Sequence, residues 1–405
     1  MIVLMISPSY PQEMSYFARG LARVGATVLG LGDGPQAGLA PLAREALAGY
    51  LQVSNLWDEA ATVEAVRAWP WASRIDRVEC LWEPGMILAA RLREALGLRG
   101  MTVAETVPFR DKEAMKQVLD RAGIRTPRHR RATSEAEIRA GAEAIGFPLI
   151  VKPIAGAGSA DTYRVDGPGD LERVLRLVRH VPEMSVEEFI DGEEYTYDTI
   201  CAGGQVLYDN ISWYRPRPLI ARSEEWVSSQ TIALREIDHP DLRDGRRMGR
   251  QVMDALGFRT GFTHMEWFRK PDGEAVFGEI GARPAGARTT EIMNYACDID
   301  VFTGWAEAVT RGRISQPIER KYNAGIIFKR AQGQGRIQRI VGLEQLQHDF
   351  HKHIVSTELL PLGATRRNWK QTLLSDGWII LRHPDLKTCL YMLDRVGSDL
   401  QLYAG

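Results

Sequence analysis

The chain has 405 residues, 44% hydrophobic and 25% charged, with 51 Lys+Arg against 52 Asp+Glu and a formal net charge of −1. A chain this apolar and this balanced in charge can bury two or three domain cores, which excludes long disordered stretches. It also lacks the overall basic excess that counterion-driven nucleic-acid binding requires.

Taken in chain order, Ile2 to Ser7, Thr27 to Leu31, Leu51 to Ser54 and Asp76 to Leu81 read as short strands. Gln12 to Val24, Ala60 to Ala68 and Met86 to Leu96 between them carry apolar residues at helical spacing. Strand and helix in alternation predict a doubly wound parallel sheet over residues 1–110. Its ligands would sit beyond the strand ends, near Ser7 to Tyr10, Asp33 to Gly34 and Trp82 to Pro84. The first turn reads Ser-Pro-Ser-Tyr-Pro and not Gly-x-Gly-x-x-Gly, so this half has no dinucleotide fingerprint. The opening Met1 to Ile6 is apolar but stops at Pro8, and no 18-residue apolar run occurs, so no membrane span is expected. Cys80, Cys201, Cys297 and Cys389 are far apart, which fits a reducing, cytoplasmic setting.

From about residue 111 the texture changes. Pro148 to Pro153 is a buried-strand run ending in Lys152, followed by the small-residue loop Ala155 to Ala160. Val186 to Ile190 is a further strand. Tyr195 to Cys201 with Val206 to Ser212, and Phe262 to Arg269 with Glu274 to Gly281, read as two hairpins. Antiparallel hairpins plus helices make residues 111–320 an α+β unit. Residues 321–405 hold strands near Ala324 to Arg330, Arg336 to Val341 and Trp378 to Arg382, and a closing helix Leu386 to Val396.

Candidate chemistry concentrates on the second hairpin. Residues two apart in a strand share a face, which aligns His264, Glu266 and Phe268 on one strand and Phe277, Glu279, Gly281 and Arg283 on the other. A two-residue turn between Lys270 and Gly273 sets Glu266 opposite Phe277 and diagonal to Glu279, within reach for one shared cation. Two facing carboxylates without a cation repel, and Mg²⁺ prefers such oxygen ligands completed by water and phosphate. The plainer reading is two surface glutamates beside a turn. Arg283 on the same face weighs against it, because a guanidinium there suits developing phosphoryl charge.

Lys152 shares a strand face with Ile150, so an ammonium for phosphate and an apolar surface for a base project together, with glycines following. The short strand through Glu187, Glu188, Phe189 and Ile190 and, after a turn, Glu194 bring acidic groups able to accept from an amine edge and sugar hydroxyls. The segment Trp213 to Asp238 holds Arg215, Arg217 and Arg222, guanidiniums able to fork onto a substrate carboxylate. Arg288, one turn beyond Arg283, is a second such group. His348-x-x-His351-x-His353 lies in a polar stretch and reads as a solvated surface.

The ordered series Asp111-Lys112, Pro148 to Pro153, the glycine loop, Glu187-Glu188-Phe189-Ile190 with Glu194, His264-x-Glu266 and Glu279-x-x-x-Arg283 resembles the ATP-grasp superfamily. The resemblance covers roughly residues 111–310, and the whole-chain order is similar to its carboxylate-amine ligases, among them dipeptide-forming L-amino acid ligases. It implies α/β and α+β architecture: a doubly wound pre-domain (1–110), an ATP-grasp domain of two α+β subdomains (111–320) and a small C-terminal β-rich domain (321–405). It also implies ATP and Mg²⁺. Lys112 and Lys152 would contact phosphates, with Gly156, Gly158 and Ser159 in a flap over them. Ile150 and Phe268 would contact the base. Glu187, the Glu188 carbonyl and the Ile190 N–H, flanking Phe189, would read the adenine edge, and Glu194 would hold the ribose. Glu266 and Glu279 would bind Mg²⁺, Arg283 and Arg288 would serve catalysis, and Arg215, Arg217 and His264 would face substrate. Many members read Glu-x-Asn where this chain has Gly281, so one Mg²⁺ site is expected and the second is doubtful. The implied partners are a small carboxylate and an amine, with no nucleic acid or membrane, and a homodimer is allowed. Two rivals remain open at this level: a phosphotransferase on the same fold and a non-catalytic nucleotide-binding protein.

Overall fold

The structure, a computed structural model, describes residues 1–156 and 160–405. Near the N-terminus four parallel strands pair in the order Leu47–Gln52, Thr27–Gly32, Ile2–Ile6, Arg77–Glu79. Alternate residues of the central strand face opposite layers. Val3 and Met5 meet Phe17 and Leu21 of the helix Met14–Arg23, whereas Leu4 and Ile6 meet Val66, Leu88 and Leu92 of the helices Glu59–Ala68 and Met86–Ala95. The expected strand at 51–54 starts earlier, at Leu47, and runs through Gly49. A Cβ on Gly49 would lie 3.2 Å from Leu29, so its small size lets this edge strand pair closely.

A small antiparallel sheet follows, in the order His129–Ala132, Met184–Glu188, Leu149–Pro153, Tyr163–Val165. Its period of two separates functions cleanly. Leu149, Val151, Met184 and Val186 pack under the helices Glu135–Ile145 and Pro168–Leu177, leaving Ile150, Lys152 and Glu187 on the opposite face.

The large sheet has nine strands. Its path runs Ala275–Gly281, Gly261–Arg269, Glu193–Ala202, Ser212–Arg215, Gln230–Ala233, Asn323–Phe328, Gly377–His383, Ile354–Leu359, and Gln205–Asn210 pairs with Glu193–Ala202. The helix Arg243–Ala255 lies on it closely enough that a Cβ on Gly245 would fall 2.2 Å from Trp267, and one on Gly249 2.1 Å from Tyr197. The segment expected to be one Arg-rich stretch from Trp213 to Asp238 contains two of these strands and the short helix Pro218–Ser223. The C-terminal strands Asn323–Phe328, Gly377–His383 and Ile354–Leu359 continue this same sheet. Ile354–Leu359 is too polar, with Ser356, Thr357 and Glu358, to announce itself by hydrophobic alternation. After the closing helix Leu386–Asp399, the strand Gln401–Ala404 joins Gln332–Gly333 and Ile337–Val341 in a three-stranded sheet. Among the described residues no helix is long and apolar enough to cross a membrane.

Candidate active site

A cavity of about 740 Å³ lies where the polar face of the small sheet meets the polar face of the large one, with the strand ends of the parallel sheet at its mouth. Lys112, Ile150, Lys152, Gly156, Glu187, Glu188, Phe189, Ile190, Glu194, Arg217, His264, Glu266, Phe268, Glu279 and Arg283 all border it. Gly158 and Ser159 lie outside the described residues.

The carboxylate pair is set by a bulge. Trp267 pairs with Phe277, but Glu266 pairs with Glu279, because Gly278 is the extra residue. A Cβ on Gly278 would stand 2.8 Å from the Glu266 carbonyl oxygen, so glycine fits this crossing. The expected diagonal arrangement is therefore corrected: Glu266 and Glu279 are direct neighbours facing the cavity, while Phe277 turns into the core with Trp267. The third position, Gly281, is covered by the Arg283 side chain, whose Cγ lies 3.2 Å from where a Cβ would stand.

Cations surround this pair. Asp111 caps the helix Lys112–Arg121 by accepting from the N–H groups of Glu113 and Ala114, which fixes Lys112 at the first turn and Lys116 one turn later. The Lys112 ammonium lies 3.3 Å from Glu279 and donates to the Gly156 carbonyl at 2.9 Å. Burial alone would raise the Glu279 carboxyl, but Lys112, Lys152, Lys116 and Arg283 outweigh it and hold it below its ordinary value. Arg283 in turn is gripped at 2.6–2.7 Å by Glu83, which also pairs with Arg110. Glu83 comes from the turn after the fourth parallel strand, so the pre-domain reaches into the site through a carboxylate with no sequence motif around it.

Glu187 has a different place from the one expected. It accepts from Lys116 at 2.7 Å, Lys152 at 3.0 Å and the Ser185 hydroxyl at 2.8 Å, and is 3% exposed. Its oxygens are taken up by two lysines, leaving the strand backbone beyond it as the edge that remains for a base. Burial pushes the Glu187 carboxyl up, and the two lysines overcome this and hold it far below the carboxylate range. Burial also pulls Lys116 down to about 8 against the attraction of Glu187. For Lys152 burial acts downward as well, but Glu187 and Glu279 raise it above its usual value, so it carries a charge into the cavity. The Glu188 side chain turns away to a forked pair with Arg125.

Burial and the nearby Glu266 raise the Glu194 carboxyl, opposed by Arg217 at 3.4 Å. The Arg217 guanidinium also donates to the Ile190 carbonyl at 2.9 Å and lies over the rings of Phe189 and Phe268. These contacts set it among Glu194, Phe189, Ile190 and Phe268, the residues expected to meet the nucleotide. His264 Nδ1 donates to the Asp198 carboxylate at 2.6 Å, and its Nε2 lies 3.5 Å from Glu266. Burial would lower its pKa, yet Asp198 and Glu266 raise it to about 9, leaving a cationic imidazole beside the carboxylates. Asp198 is itself fixed by Thr196 and Asn210.

Two expected residues are elsewhere. Arg215 alternates with Tyr214; the tyrosine faces the cavity and Arg215 pairs with Asp394 on the other side of the sheet. Arg288 does not follow Arg283 on a helix. Ala287 and Arg288 both have left-handed backbone, at φ 52° and 63°, so Arg288 projects into a separate cavity, pairing with Glu291 and Glu358 and stacking on Trp378. Its assignment to catalysis is withdrawn on that ground. Sequence reasoning gave no role to Lys116 or Asp198, and none to Tyr214 or Glu83 beyond their places in the Trp213 to Asp238 segment and the Trp82 to Pro84 strand end. The first two carried a signal: Lys116 is four residues after Lys112 on one helix, and Asp198 is four after Glu194 on one strand face.

The donor set fits a Mg²⁺ ion. Glu266 and Glu279 supply hard oxygens, and no group of three or more His, Cys, Asp or Glu among the described residues encloses a metal, so phosphate oxygens or water would complete the shell.

Comparison with known proteins agrees with this geometry. A family model for the ATP-grasp domain matches residues 117–293. The L-arginine-specific L-amino acid ligase of Bacillus subtilis is 24% identical over 234 residues, 56% of this chain and 56% of that protein. The chain thus spans little more than half the length of this curated relative. Among solved structures, an L-amino acid ligase from Bacillus licheniformis superimposes with a TM-score of 0.80 at 22% identity, covering 100% of this chain and 98% of that one. The N5-carboxyaminoimidazole ribonucleotide synthetase from Thermotoga maritima gives 0.74 at 16% identity, covering 100% and 99%. With residues of the ordered motifs bordering one cleft and the family model matching 117–293, which takes in all of them but Asp111-Lys112, this chain carries an ATP-grasp domain.

Proposed function

We propose that the protein is an ATP-dependent carbon–nitrogen ligase that activates a carboxylate as an acyl-phosphate and couples it to an amine, releasing ADP and phosphate. The observation that carries this reading is the directly opposed pair Glu266 and Glu279 ringed by Lys112, Lys152 and Arg283. A carboxylate and a triphosphate repel each other, and this arrangement of cations offsets that repulsion. The relatives named as amino acid ligases support the same class.

In this reading Ile150 and Phe268 enclose the base, the Glu188 carbonyl and Ile190 N–H meet its edge, and Glu194 holds the ribose. Lys112 and Lys152 hold phosphates, with Gly156 at the base of the covering loop. ATP-grasp ligases use ATP with Mg²⁺; here Glu266 and Glu279 would hold one ion, which supplies charge neutralisation at the phosphates, and Arg283 over Gly281 leaves no side chain for a second. The substrate carboxylate attacks the γ-phosphorus in line and ADP departs. Arg283 stabilises the transferring group and then the tetrahedral centre formed when the amine attacks the acyl carbon; phosphate leaves and the amine loses a proton. The working units are 1–110, 111–320 and 321–405. A reducing cytoplasm suits the four unpaired, buried cysteines.

The test is an incubation with ATP, Mg²⁺ and panels of carboxylates and amines, following ADP and phosphate. Release of both only when carboxylate and amine are present together is the expected result. A stable phosphorylated product from one substrate would replace the ligase by a phosphotransferase.

A further inference from the structure

The wall of the cavity that the pre-domain contributes has a composition unlike the rest. Tyr10 and Trp82 follow the carboxyl ends of two neighbouring parallel strands, Ile2–Ile6 and Arg77–Glu79, and both border the cavity. Their rings meet at 84° with centroids 5.6 Å apart. Trp57 backs Trp82 at 5.4 Å. Met14, Leu81 and Pro84 complete an apolar lining around them.

Tyr10 is 64% exposed and Trp57 58%. Aromatic rings left open in a row at the mouth of a reaction cleft mark a place where apolar surface is meant to be covered. Two rings at a right angle leave a corner that a third ring fills edge to face, because the positive edge of one ring meets the negative face of the next. An aliphatic chain gains only contact area there. The wall is also tied to the reacting end: Trp82 immediately precedes Glu83, whose carboxylate grips Arg283.

Resting on the ligase reading above, we infer that this wall is a specificity pocket and that the carboxylate substrate carries an aromatic side chain, seated in the corner between Tyr10 and Trp82. A carboxylate activated beside Arg283 lies next to Glu83, and one residue earlier its side chain meets Trp82.

The experiment uses the full chain with ADP and Mg²⁺ and measures binding by calorimetry. The probes are L-phenylalanine, L-tryptophan and 3-phenylpropanoate against L-alanine and propanoate. The aromatic probes should bind about tenfold or more tightly than their small counterparts. Tyr10→Ala, at a site too exposed to hold up the fold, and Trp82→Leu, which removes the ring but keeps an apolar side chain, should each bring that ratio toward one. A general loss of structure would weaken both probe classes together and leave the ratio alone. A ratio near one in the parent protein, or an unchanged ratio in both variants, overturns the inference. So does a dimer that Tyr10→Ala dissociates without any aromatic selectivity, since the wall would then cover a second copy. The two readings fail separately: turnover of L-alanine or propanoate with hydroxylamine but no aromatic preference keeps the ligase and removes the pocket. Selective aromatic binding without turnover of any probe keeps the pocket and removes the ligase.

Discussion

Replacing Glu187 by Gln separates two accounts of the nucleotide site. The carboxylate holds Lys116 at 2.7 Å and Lys152 at 3.0 Å, and Lys116 is fully buried. Removing one partner of a buried ion pair typically costs about 3–5 kcal/mol, because the remaining charge is stranded. Gln keeps the shape and one acceptor for Ser185 or a lysine, worth roughly 1–1.5 kcal/mol, so a net loss of about 2–4 kcal/mol is expected. Part of it is relieved as Lys116, already lowered to about 8, gives up its proton. Lys152 then loses the anchor that aims it into the cavity, and the KM for ATP should rise about tenfold or more. Urea unfolding gives the first quantity and ADP release the second, with GTP run beside ATP. If Glu187 merely supports the lysines, both nucleotides weaken together. Wild-type stability, or a selective change in the ATP to GTP ratio, would refute the argument and return Glu187 to the base edge.

Three further outcomes follow from the same contacts. Glu279→Gln should lower ADP release by about a hundredfold or more in a chain that still folds, with some loss of stability because Lys112 and its neighbouring cations lose their carboxylate partner; activity near that of the parent protein would remove Glu279 from the metal site. Glu83→Gln should reduce kcat far more than ADP affinity, because it frees Arg283 and Arg110 without touching the base pocket; equal effects on both would contradict a positioning role. His129 sits between Glu113 and Asp120 at 2.9 Å each; burial lowers its pKa but the two carboxylates raise it above the ordinary value. Its contribution to stability is therefore complete below about pH 6.5 and is lost as pH rises through the higher folded value. The stability of His129→Asn should lack that part of the alkaline decline, and an identical pH profile would contradict the assignment.

Much of the cleft was legible because strand alternation is a local property. Lys152 with Ile150, Glu266 with Phe268 and Glu279 could each be placed on a face from neighbouring residues alone. The register between Glu266 and Glu279 was not, because one inserted glycine shifts every pairing beyond it, and only the closeness of two backbones shows where the insertion sits. Arg288 was misplaced for a related reason. A helical turn was assumed between it and Arg283, and two left-handed residues reverse its direction. Glu83 was legible only in part: its place in the strand-end segment Trp82 to Pro84 set it near a ligand, but the arginine it holds lies 200 residues away and no local pattern joins the two.

The strand Gln230–Ala233 is laddered to Asn323–Phe328 over four residue pairs, and that strand to Gly377–His383 over six. A hinge between the middle and last thirds of the chain would have to tear this ladder, at roughly 0.5–1.5 kcal/mol for every hydrogen bond lost. Among the described residues the other wall, the small sheet bearing Lys152 and Glu187, shares no strand pairing with the large one. The same ladder means that residues 321–405 are not an interchangeable cassette. A chimera cut near residue 320 would expose two raw sheet edges, and transplanting the carboxyl-terminal part between relatives demands matching strands as well as matching substrates.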